Sequence, residues 1–291
     1  MADTGINAGL VAELRRETGA GMMDCKKALQ ESGGDKDKAL EYLRKKGIAA
    51  AEKRADRAAT EGIIACVISD DAKTASLVEL NSETDFVAKN EMFREFANTL
   101  AKVVLDWKAA EGKTTEDLLA LSLPTGKTAN DTLTDLIGKI GEKLAVGRFA
   151  RLHVENGTIG TYIHSDNKLG VLVAMAGPVK SDTANTLGRD LAMQVAAATP
   201  QVVRREEIAA DKIESERAIE IERARAEGKP EAAVPKIAEG RLNKWFAEVA
   251  LLEQPFVKDP KVVIKDLVAE TAKTLGTPIE IKSFVRIRVG A

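Results

Sequence analysis

The sequence predicts an α+β protein, and three observations lead to this fold class. Residues 6–47 carry apolar side chains at helical spacing, interrupted by glycines. Alternating apolar segments, typical of strands, begin at Glu61 and recur in the second half of the chain. A charged helical pattern is broken by Gly228-Lys229-Pro230. We expect four parts: an N-terminal module with a linker at 1–55, a core N-subdomain at 56–146, a core C-subdomain at 147–200 and 250–291, and a helical hairpin (coiled-coil) insert at 201–249.

Composition argues against several functional classes. The 291 residues include 43 Lys and Arg against 45 Asp and Glu, which leaves a net charge of -2. This balance gives no push toward nucleic acid or an anionic membrane. The two cysteines, Cys25 and Cys66, form no C-x-x-C pair and are expected to be small buried hydrophobes. With no signal peptide and no apolar run of about 18–20 residues, we expect a cytoplasmic protein.

The first 47 residues predict three short helices. Their apolar positions are Leu10 and Leu14, then Cys25, Ala28 and Leu29, then Ala39, Leu40 and Leu43. Glycines separate the helices, and Gly47 is expected to end the third. Met22 and Met23 follow a glycine turn, where one Met can serve the core or both can form an adaptable contact surface. Residues 49–60 are Ala-rich and charged, which indicates a helical or partly ordered linker.

A β-hairpin and a long helix follow. The segments G-I-I-A-C-V-I-S and T-A-S-L-V-E-L-N predict two strands joined near Asp70–Lys73. Apolar residues then recur every three to four positions, which predicts one amphipathic helix from about Phe86 to Lys108. Two further helices are expected near 115–121 and 132–144.

The second half repeats this order. N-G-T-I-G-T-Y-I-H-S-D-N-K-L-G-V-L-V aligns with E-G-I-I-A-C-V-I-S-D-D-A-K-T-A-S-L-V, so that Gly157 matches Gly62 and Asp166 matches Asp71. A helix at about 183–198 completes a second β-β-α unit, which predicts two pseudo-equivalent subdomains.

The remaining residues predict a helical hairpin and a closing strand. Helices at 208–227 and 234–249 flank the Gly-Lys-Pro break, and the hairpin is expected to project because its tip carries little apolar surface. It is expected either to support a homodimer or to touch a partner. A helix near 262–275 and a strand around 279–289 close the chain.

No catalytic constellation is visible. His153 alternates with apolar neighbours and is expected in a strand, whereas His164 lies at a hairpin turn. L-P-T-G-K-T lacks the first glycine of a phosphate-binding loop, since Leu121 stands at that position. We therefore expect no enzymatic chemistry and no cofactor.

The turn N-S-E-T-D-F-V-A-K-N (81–90) carries the clearest candidate site. Phe86 stands seven residues before Phe93, so on a continuous helix it would share the buried face. The second interpretation is that its ring is presented to a partner. The matching turn of the second unit, G-P-V-K-S-D, has no aromatic residue, so a helix entrance of this kind does not require one.

Several long motifs resemble the bacterial translation elongation factor Ts family. L-V-A-E-L-R followed by T-G-A-G-M-M-D-C-K-K-A-L (Thr18 to Leu29) is similar to the family's N-terminal signature, and E-T-D-F-V-A-K to its second. H-V-E-N-G-T-I-G-T-Y-I-H, Q-P-F-V and F-V-R-I-R-V-G are similar too. The resemblance runs in family order from about Leu10 to Gly290.

The resemblance implies a guanine-nucleotide exchange factor for elongation factor Tu. It would bind both the GDP-bound and the nucleotide-free form of that GTPase. The N-terminal module would be ubiquitin-associated-like and would dock on the GTPase domain. By motif, Arg15, Met22 and Met23 would contact that domain, and His164 would be a C-subdomain contact. Thr84, Asp85, Phe86 and Val87 would displace the magnesium ion from the GTPase.

Two further points bear on these expectations. Many family members carry an additional C-terminal helical module, whereas this sequence stops at Ala291, so contacts of that module are not carried over. The alternative function is a helical adaptor or scaffold that binds another protein through the N-terminal module. Direct nucleic-acid binding is disfavoured by net charge and by the lack of an aromatic-basic strand platform.

Overall fold

The computed structural model of this chain describes residues 7–177 and 179–291. Residues 1–6 of the predicted N-terminal part, and Pro178 of the G-P-V-K-S-D turn, lie outside the described residues. Helices and strands are mixed along the chain, which confirms the α+β class. The elements of the first half are α1 (Ala8–Thr18), α2 (Met22–Glu31), α3 (Lys36–Glu52), β1 (Glu61–Ile68), β2 (Thr74–Ser82), α4 (Asp85–Ala88), α5 (Glu91–Asp106), α6 (Thr115–Ala120) and α7 (Ala129–Ile140).

The second half contains strands, a pair of long helices and a final helix and strand. Its elements are β3 (Leu144–His153), β4 (Gly157–Ile163), β5 (Leu169–Ala176), α8 (Asp182–Ala198), α9 (Ala210–Ala226), α10 (Val234–Val249), β6 (Pro255–Phe256), β7 (Asp259–Val263), α11 (Ile264–Leu275) and β8 (Glu280–Arg288). The strands form two three-stranded sheets, in the orders β1-β2-β3 and β4-β5-β8, and a small β6-β7 ribbon. None of the helices in these described stretches is both long and apolar enough to cross a membrane.

Contacts divide the chain into two compact units. The first takes the residues up to Ala65, Val78–Phe149 and Arg288–Ala291. The second takes Cys66–Leu77 and Ala150–Ile287.

Among the described residues of the first unit, apolar side chains are buried both in the N-terminal helices and along α5. Helices α1 to α3 share a core made of Val11, Leu14, Cys25, Ala28, Leu29 and Ala39. Helix α5 carries a fully apolar stripe: Phe93, Phe96, Ala97, Leu100, Ala101 and Val104 are all buried. The spacing of apolar residues predicts Phe93, Phe96, Leu100 and Val104 of this stripe.

The second unit is built on β4, β5 and α8. The two strands pair antiparallel, from Gly157 opposite Ala176 to Ile163 opposite Gly170. Gly160 of β4 and Gly188 of α8 approach so closely that a Cβ on Gly160 would lie 2.2 Å from the Gly188 carbonyl oxygen. Helix α8 can therefore lie directly on the strand backbone.

The two hairpin turns of the sequence repeat have matching geometry. Ala72 and Asn167, at equivalent positions, both have φ 57°. In each turn the preceding aspartate accepts a hydrogen bond from the backbone N–H two residues later, with Lys73 donating to Asp71 at 3.0 Å and Lys168 to Asp166 at 2.8 Å.

The strand starts of the repeat match as well. A Cβ on Gly62 would lie 2.1 Å from the Leu80 carbonyl oxygen, and one on Gly157 would lie 2.0 Å from that of Met175. Each glycine therefore lets the paired strand approach at the same point.

Three expected boundaries are wrong. The helix expected from Phe86 to Lys108 is interrupted, because α4 ends at Ala88 and Asn90 begins α5 by accepting a hydrogen bond from the Phe93 N–H at 3.4 Å. Gly47 does not end α3, which continues to Glu52. The Ala-rich segment that follows favours helix, and Gly47 is buried against α7, 3.7 Å from the Thr134 carbonyl as measured from an ideal Cβ.

The third wrong boundary is the helix expected at 132–144. Helix α7 ends at Ile140, since Gly141 adopts a left-handed conformation with φ 82°. Strand β3 begins at Leu144. His153 closes that strand, which confirms its expected strand position.

Candidate functional site

The candidate site begins where β2 ends. Ser82, the last residue of β2, donates a hydrogen bond through its hydroxyl to the Thr84 carbonyl at 2.9 Å and so closes the turn into α4. Helix α4 has only four residues, and Phe86 is its second. The predicted T-D-F-V residues therefore lie in a short, sharply bent turn.

The Phe86 ring points away from its own protein. Phe86 is 77% exposed, so the interpretation that it packs in the core is wrong. The break between α4 and α5 is the reason, because Phe86 and Phe93 lie on different helices. Lys89 Nζ lies 5.6 Å from the ring centroid and also 3.1 Å from the Asp85 carboxylate. Lys89 thus connects the two exposed residues of the motif.

Thr84 and Val87 face inward. Val87 is buried. Thr84 donates twice to the Glu142 carboxylate, through its backbone N–H at 3.0 Å and its hydroxyl at 2.8 Å. Thr84 and Val87 therefore anchor the turn, whereas Asp85 and Phe86 are exposed to solvent.

Glu83 ties the same turn to the neighbouring loop and linker. Its carboxylate accepts a hydrogen bond from the Lys143 backbone N–H at 2.6 Å and pairs with Arg57 at 3.2 Å. These donors, the Lys143 N–H above all, hold the pKa of Glu83 below its ordinary value. The Lys143 ammonium donates to the carbonyls of Ala55 and Arg57, at 2.5 and 2.7 Å. The turn and the linker after α3 thus meet at Lys143.

The other predicted contact residues of the first unit lie on α1 and α2. Met22 and Met23 open α2 and are 44% and 71% exposed. Cys25 of the same helix is fully buried, so the core is supplied from the opposite face. Arg15 is exposed near the end of α1. Neither methionine is used for the core of the three helices.

His164 belongs to the second unit and lies in the turn between β4 and β5. Its N–H donates to the Leu169 carbonyl at 2.9 Å, and its ring nitrogen Nδ1 lies 3.0 Å from the Asp166 carboxylate. The Lys168 N–H and the His164 ring hold the pKa of Asp166 below its usual value. The equivalent first turn is covered, since Val154 and Ile159 donate to the Lys73 and Ala72 carbonyls. The His164 turn is exposed.

Sequence reasoning missed three residues of this site, namely Lys89, Glu142 and Lys143. Lys89 carries a local signal, because it follows Asp85 by four positions, a spacing at which opposite charges meet on a helix. Glu142 and Lys143 carry none, since their partners are about 60 residues away in sequence. Within 7–177 and 179–291, no group of three or more His, Cys, Asp or Glu residues is arranged to hold a metal ion.

Comparison with known proteins agrees with the motifs. A family model described as elongation factor Ts matches residues 83–291. Elongation factor Ts of Chlorobaculum parvum is 47% identical over 289 residues, covering 98% of this chain and 99% of that protein. Elongation factor Ts of Clostridium botulinum (strain Alaska E43) is 45% identical, covering 98% and 93%, and that of Clostridioides difficile is 46% identical with the same coverage.

These matches place the chain among the elongation factors of protein biosynthesis. It belongs to the elongation factor Ts family.

Proposed function

We propose that this protein is the guanine-nucleotide exchange factor of elongation factor Tu. It binds the GTPase in its GDP form, disturbs the magnesium ion beside the phosphates, and releases GDP so that GTP can bind. It acts in the cytoplasm, needs no cofactor, and performs no covalent chemistry of its own.

The observation that carries this proposal is the exposed Phe86 ring on an anchored turn. A single exposed apolar residue is ordinary on a protein surface. Here the two flanking residues of the motif hold the turn while the ring projects, which suits insertion into a partner. Burying one phenylalanine contributes about 1.5–3 kcal/mol. Since magnesium neutralises phosphate charge, displacing it weakens the grip on GDP without touching the base.

The remaining contacts divide between the two units. We assign Arg15, Met22 and Met23 to docking on the GTPase domain, where exposed thioethers adapt to an irregular surface. We assign His164 to a separate contact of the second unit. The exposed turn and the Nδ1 contact with Asp166 support this assignment, because they leave the other ring nitrogen for a partner.

The architecture we propose follows the same division. Helices α1 to α3 form a ubiquitin-associated-like module. The matching glycines and turns support two pseudo-repeated subdomains. Helices α9 and α10 form a projecting hairpin, which ion pairs such as Arg217–Glu239 at 2.8 Å and Arg241–Glu227 at 2.6 Å hold together.

The test is release of a fluorescent GDP analogue from elongation factor Tu. The wild-type protein should accelerate release. Phe86→Ala should slow it by roughly ten- to a hundredfold without abolishing it, because one ring supplies only part of the binding energy. A wild-type rate for Phe86→Ala in a folded protein would reject the role of the ring. No acceleration by the wild type would reject the function.

A further inference from the structure

Thr84 is bound differently from a usual residue at the start of a helix. Thr84 precedes α4, and a threonine there usually caps its own helix by accepting a hydrogen bond from a backbone N–H. Thr84 makes no such cap. Its hydroxyl and its N–H both donate to the carboxylate of Glu142 instead. The Thr84 side chain is therefore bound by a residue from outside the turn.

Helix α4 cannot hold its own direction. Four residues are far too few for a stable isolated helix, because nucleation costs more than so few hydrogen bonds return. The Phe86 ring is mostly exposed and so is not clamped by packing. At its C-terminal side the turn is held by the buried pair Val87 and Ala88 and by the Arg94 side chain, which donates to the Ala88 carbonyl at 3.1 Å. At its N-terminal side it is held by the Ser82 hydroxyl and by the Thr84 contact with Glu142.

Glu142 is well placed to be the fixed partner. It follows Gly141, whose left-handed conformation ends α7, and α7 is held by the buried side chains of Leu133, Leu136 and Ile137. The next residue, Lys143, grips Glu83 through its backbone N–H. Two consecutive residues therefore bind two consecutive residues of the turn.

We propose that Glu142 is a positioning residue for exchange. Its carboxylate fixes the direction in which the Phe86 ring leaves the turn, although Glu142 itself need not touch the partner. The inference rests on the proposed exchange function, because the position of the ring matters only if the ring enters a partner.

The variants follow from hydrogen-bond chemistry. Glu142→Ala removes both acceptors. Glu142→Gln keeps the geometry, because the amide oxygen can accept from the Thr84 N–H while the amide nitrogen donates to the Thr84 hydroxyl oxygen. Glu111→Ala is the matched control, since it removes an exposed carboxylate elsewhere in the first unit.

The first measurement uses the protein alone. Amide hydrogen exchange of peptides covering residues 82–90 should be faster in Glu142→Ala than in the wild type, and close to wild type in Glu142→Gln and Glu111→Ala. Equal protection in Glu142→Ala and the wild type would overturn the anchoring. Because no partner is present, this measurement tests the anchoring even if the proposed exchange function is wrong.

The second measurement uses fluorescent GDP release. Glu142→Ala should lower the maximal rate by about fivefold or more, as expected when hydrogen bonds to a charged acceptor are lost. The half-saturating concentration should change less than about threefold, because binding contacts outside the turn remain. Glu142→Gln should restore most of the rate. An active wild type, a slow Phe86→Ala variant and an unchanged Glu142→Ala variant together would overturn this inference while leaving the function intact.

A double-mutant cycle separates positioning from simple destabilisation. Adding Glu142→Ala to Phe86→Ala should slow release no further, because no ring is left to position. Adding it to Met23→Ala should have its full effect. Equal effects in both backgrounds would mean that Glu142 only stabilises the fold. If Glu142→Ala does not fold, Thr84→Val against Thr84→Ser tests the same contact from the other side, with Ser expected to behave as wild type and Val to be slow.

Discussion

At the scale of single residues, Phe86 and Val87 are neighbours with opposite surroundings. The Phe86 side chain is mostly in solvent, and the Val87 side chain is buried beside Ala88. Apolar surface stabilises a fold only if folding removes it from water. The two side chains should therefore contribute to different properties: Val87 to stability, and Phe86 to binding.

We expect Phe86→Ala to change the free energy of unfolding by less than about 0.5 kcal/mol, as for other surface substitutions. Val87→Ala should lower it by about 1–3 kcal/mol, because it removes buried methyl groups and leaves a small cavity. Urea unfolding of both variants measures the contrast. A large loss of stability in Phe86→Ala would mean that the ring belongs to the fold, and its kinetic effect would then say nothing about a partner.

How far the sequence predicts this site depends on the range of each contact. The strand-to-helix turn follows from a local change of period. The exposure of Phe86 could not be decided by spacing, because the choice depended on whether the helix was continuous. Asn90 ends that continuity by capping α5. Since Asn is a preferred capping residue, the sequence does contain a local signal for this break. The Glu142 contact crosses 58 residues and leaves no local trace.

At the scale of elements, glycines decide where helices pack. The sequence predicts that Gly47 ends α3, but Gly47 lies within that helix and next to α7. A Cβ on Gly138 of α7 would lie 3.2 Å from the Gly47 Cα. Glycine breaks helices in isolation at a cost of about 1 kcal/mol, and tertiary packing outweighs that cost here. Sequence alone does not distinguish a terminating glycine from a packing glycine.

Gly160 and Gly240 make a matched test of this distinction. A Cβ on Gly160 would lie 2.2 Å from the Gly188 carbonyl oxygen, whereas one on Gly240 of α10 would meet nothing within 4 Å. Gly160→Ala should therefore destabilise the protein strongly, because α8 must move off β4. Gly240→Ala should raise the free energy of unfolding by up to about 1 kcal/mol. Thermal unfolding of the two variants tests this contrast. Similar changes in unfolding temperature would show that the close approach of α8 to β4 tolerates a side chain.

A buried carboxylate joins β2 to the chain end beyond β8. Glu79 accepts hydrogen bonds from the Asn81 side chain at 3.0 Å, the Gly290 N–H at 3.1 Å and the Arg148 guanidinium at 3.0 Å. Arg148 in turn donates to the Arg288 carbonyl. Burial by itself raises the pKa of Glu79, but these donors outweigh it and the pKa is lowered.

The lowered pKa makes the contribution of Glu79 dependent on pH. A carboxyl with a lowered pKa stabilises the folded state above its ordinary value and loses that contribution as the pH falls through the folded value. Glu79→Gln should therefore be less stable than the wild type at neutral pH. The difference should narrow as the pH falls below about 4.3, the ordinary value for glutamate. Urea unfolding from neutral to acidic pH measures it, and a difference that does not change with pH would contradict the assignment.

At the scale of the whole molecule, the proposed exchange function requires that the protein bind elongation factor Tu and also weaken the binding of GDP to it. A contact made equally in every bound state changes only affinity, whereas a contact made as the nucleotide leaves changes the maximal rate. Met23 and Phe86 are both exposed apolar residues of the first unit. Met23 should nevertheless affect mainly affinity, and Phe86 mainly the maximal rate.

We expect Met23→Ala to raise the half-saturating concentration by roughly three- to tenfold, since it removes part of an apolar contact, with the maximal rate within about twofold. Phe86→Ala should instead lower the maximal rate and leave the half-saturating concentration nearly unchanged. Val257→Ala, a truncation of an exposed apolar side chain in the second unit, is the control and should change neither. Fluorescent GDP release over a range of exchange-factor concentrations gives both parameters. The division fails if Met23→Ala and Phe86→Ala move the same parameter.

The same division has a consequence at equilibrium. GDP and the exchange factor must weaken each other's binding to the GTPase by one common factor, because coupling between two ligands is reciprocal. If Phe86 disturbs the metal that supports the phosphates, Phe86→Ala should bring that factor closer to one, and Met23→Ala should leave it unchanged. The factor is the ratio of the dissociation constants of the exchange factor for GDP-bound and nucleotide-free GTPase, measurable by titration calorimetry. An unchanged ratio in Phe86→Ala would mean that the ring adds affinity but does not transmit the coupling.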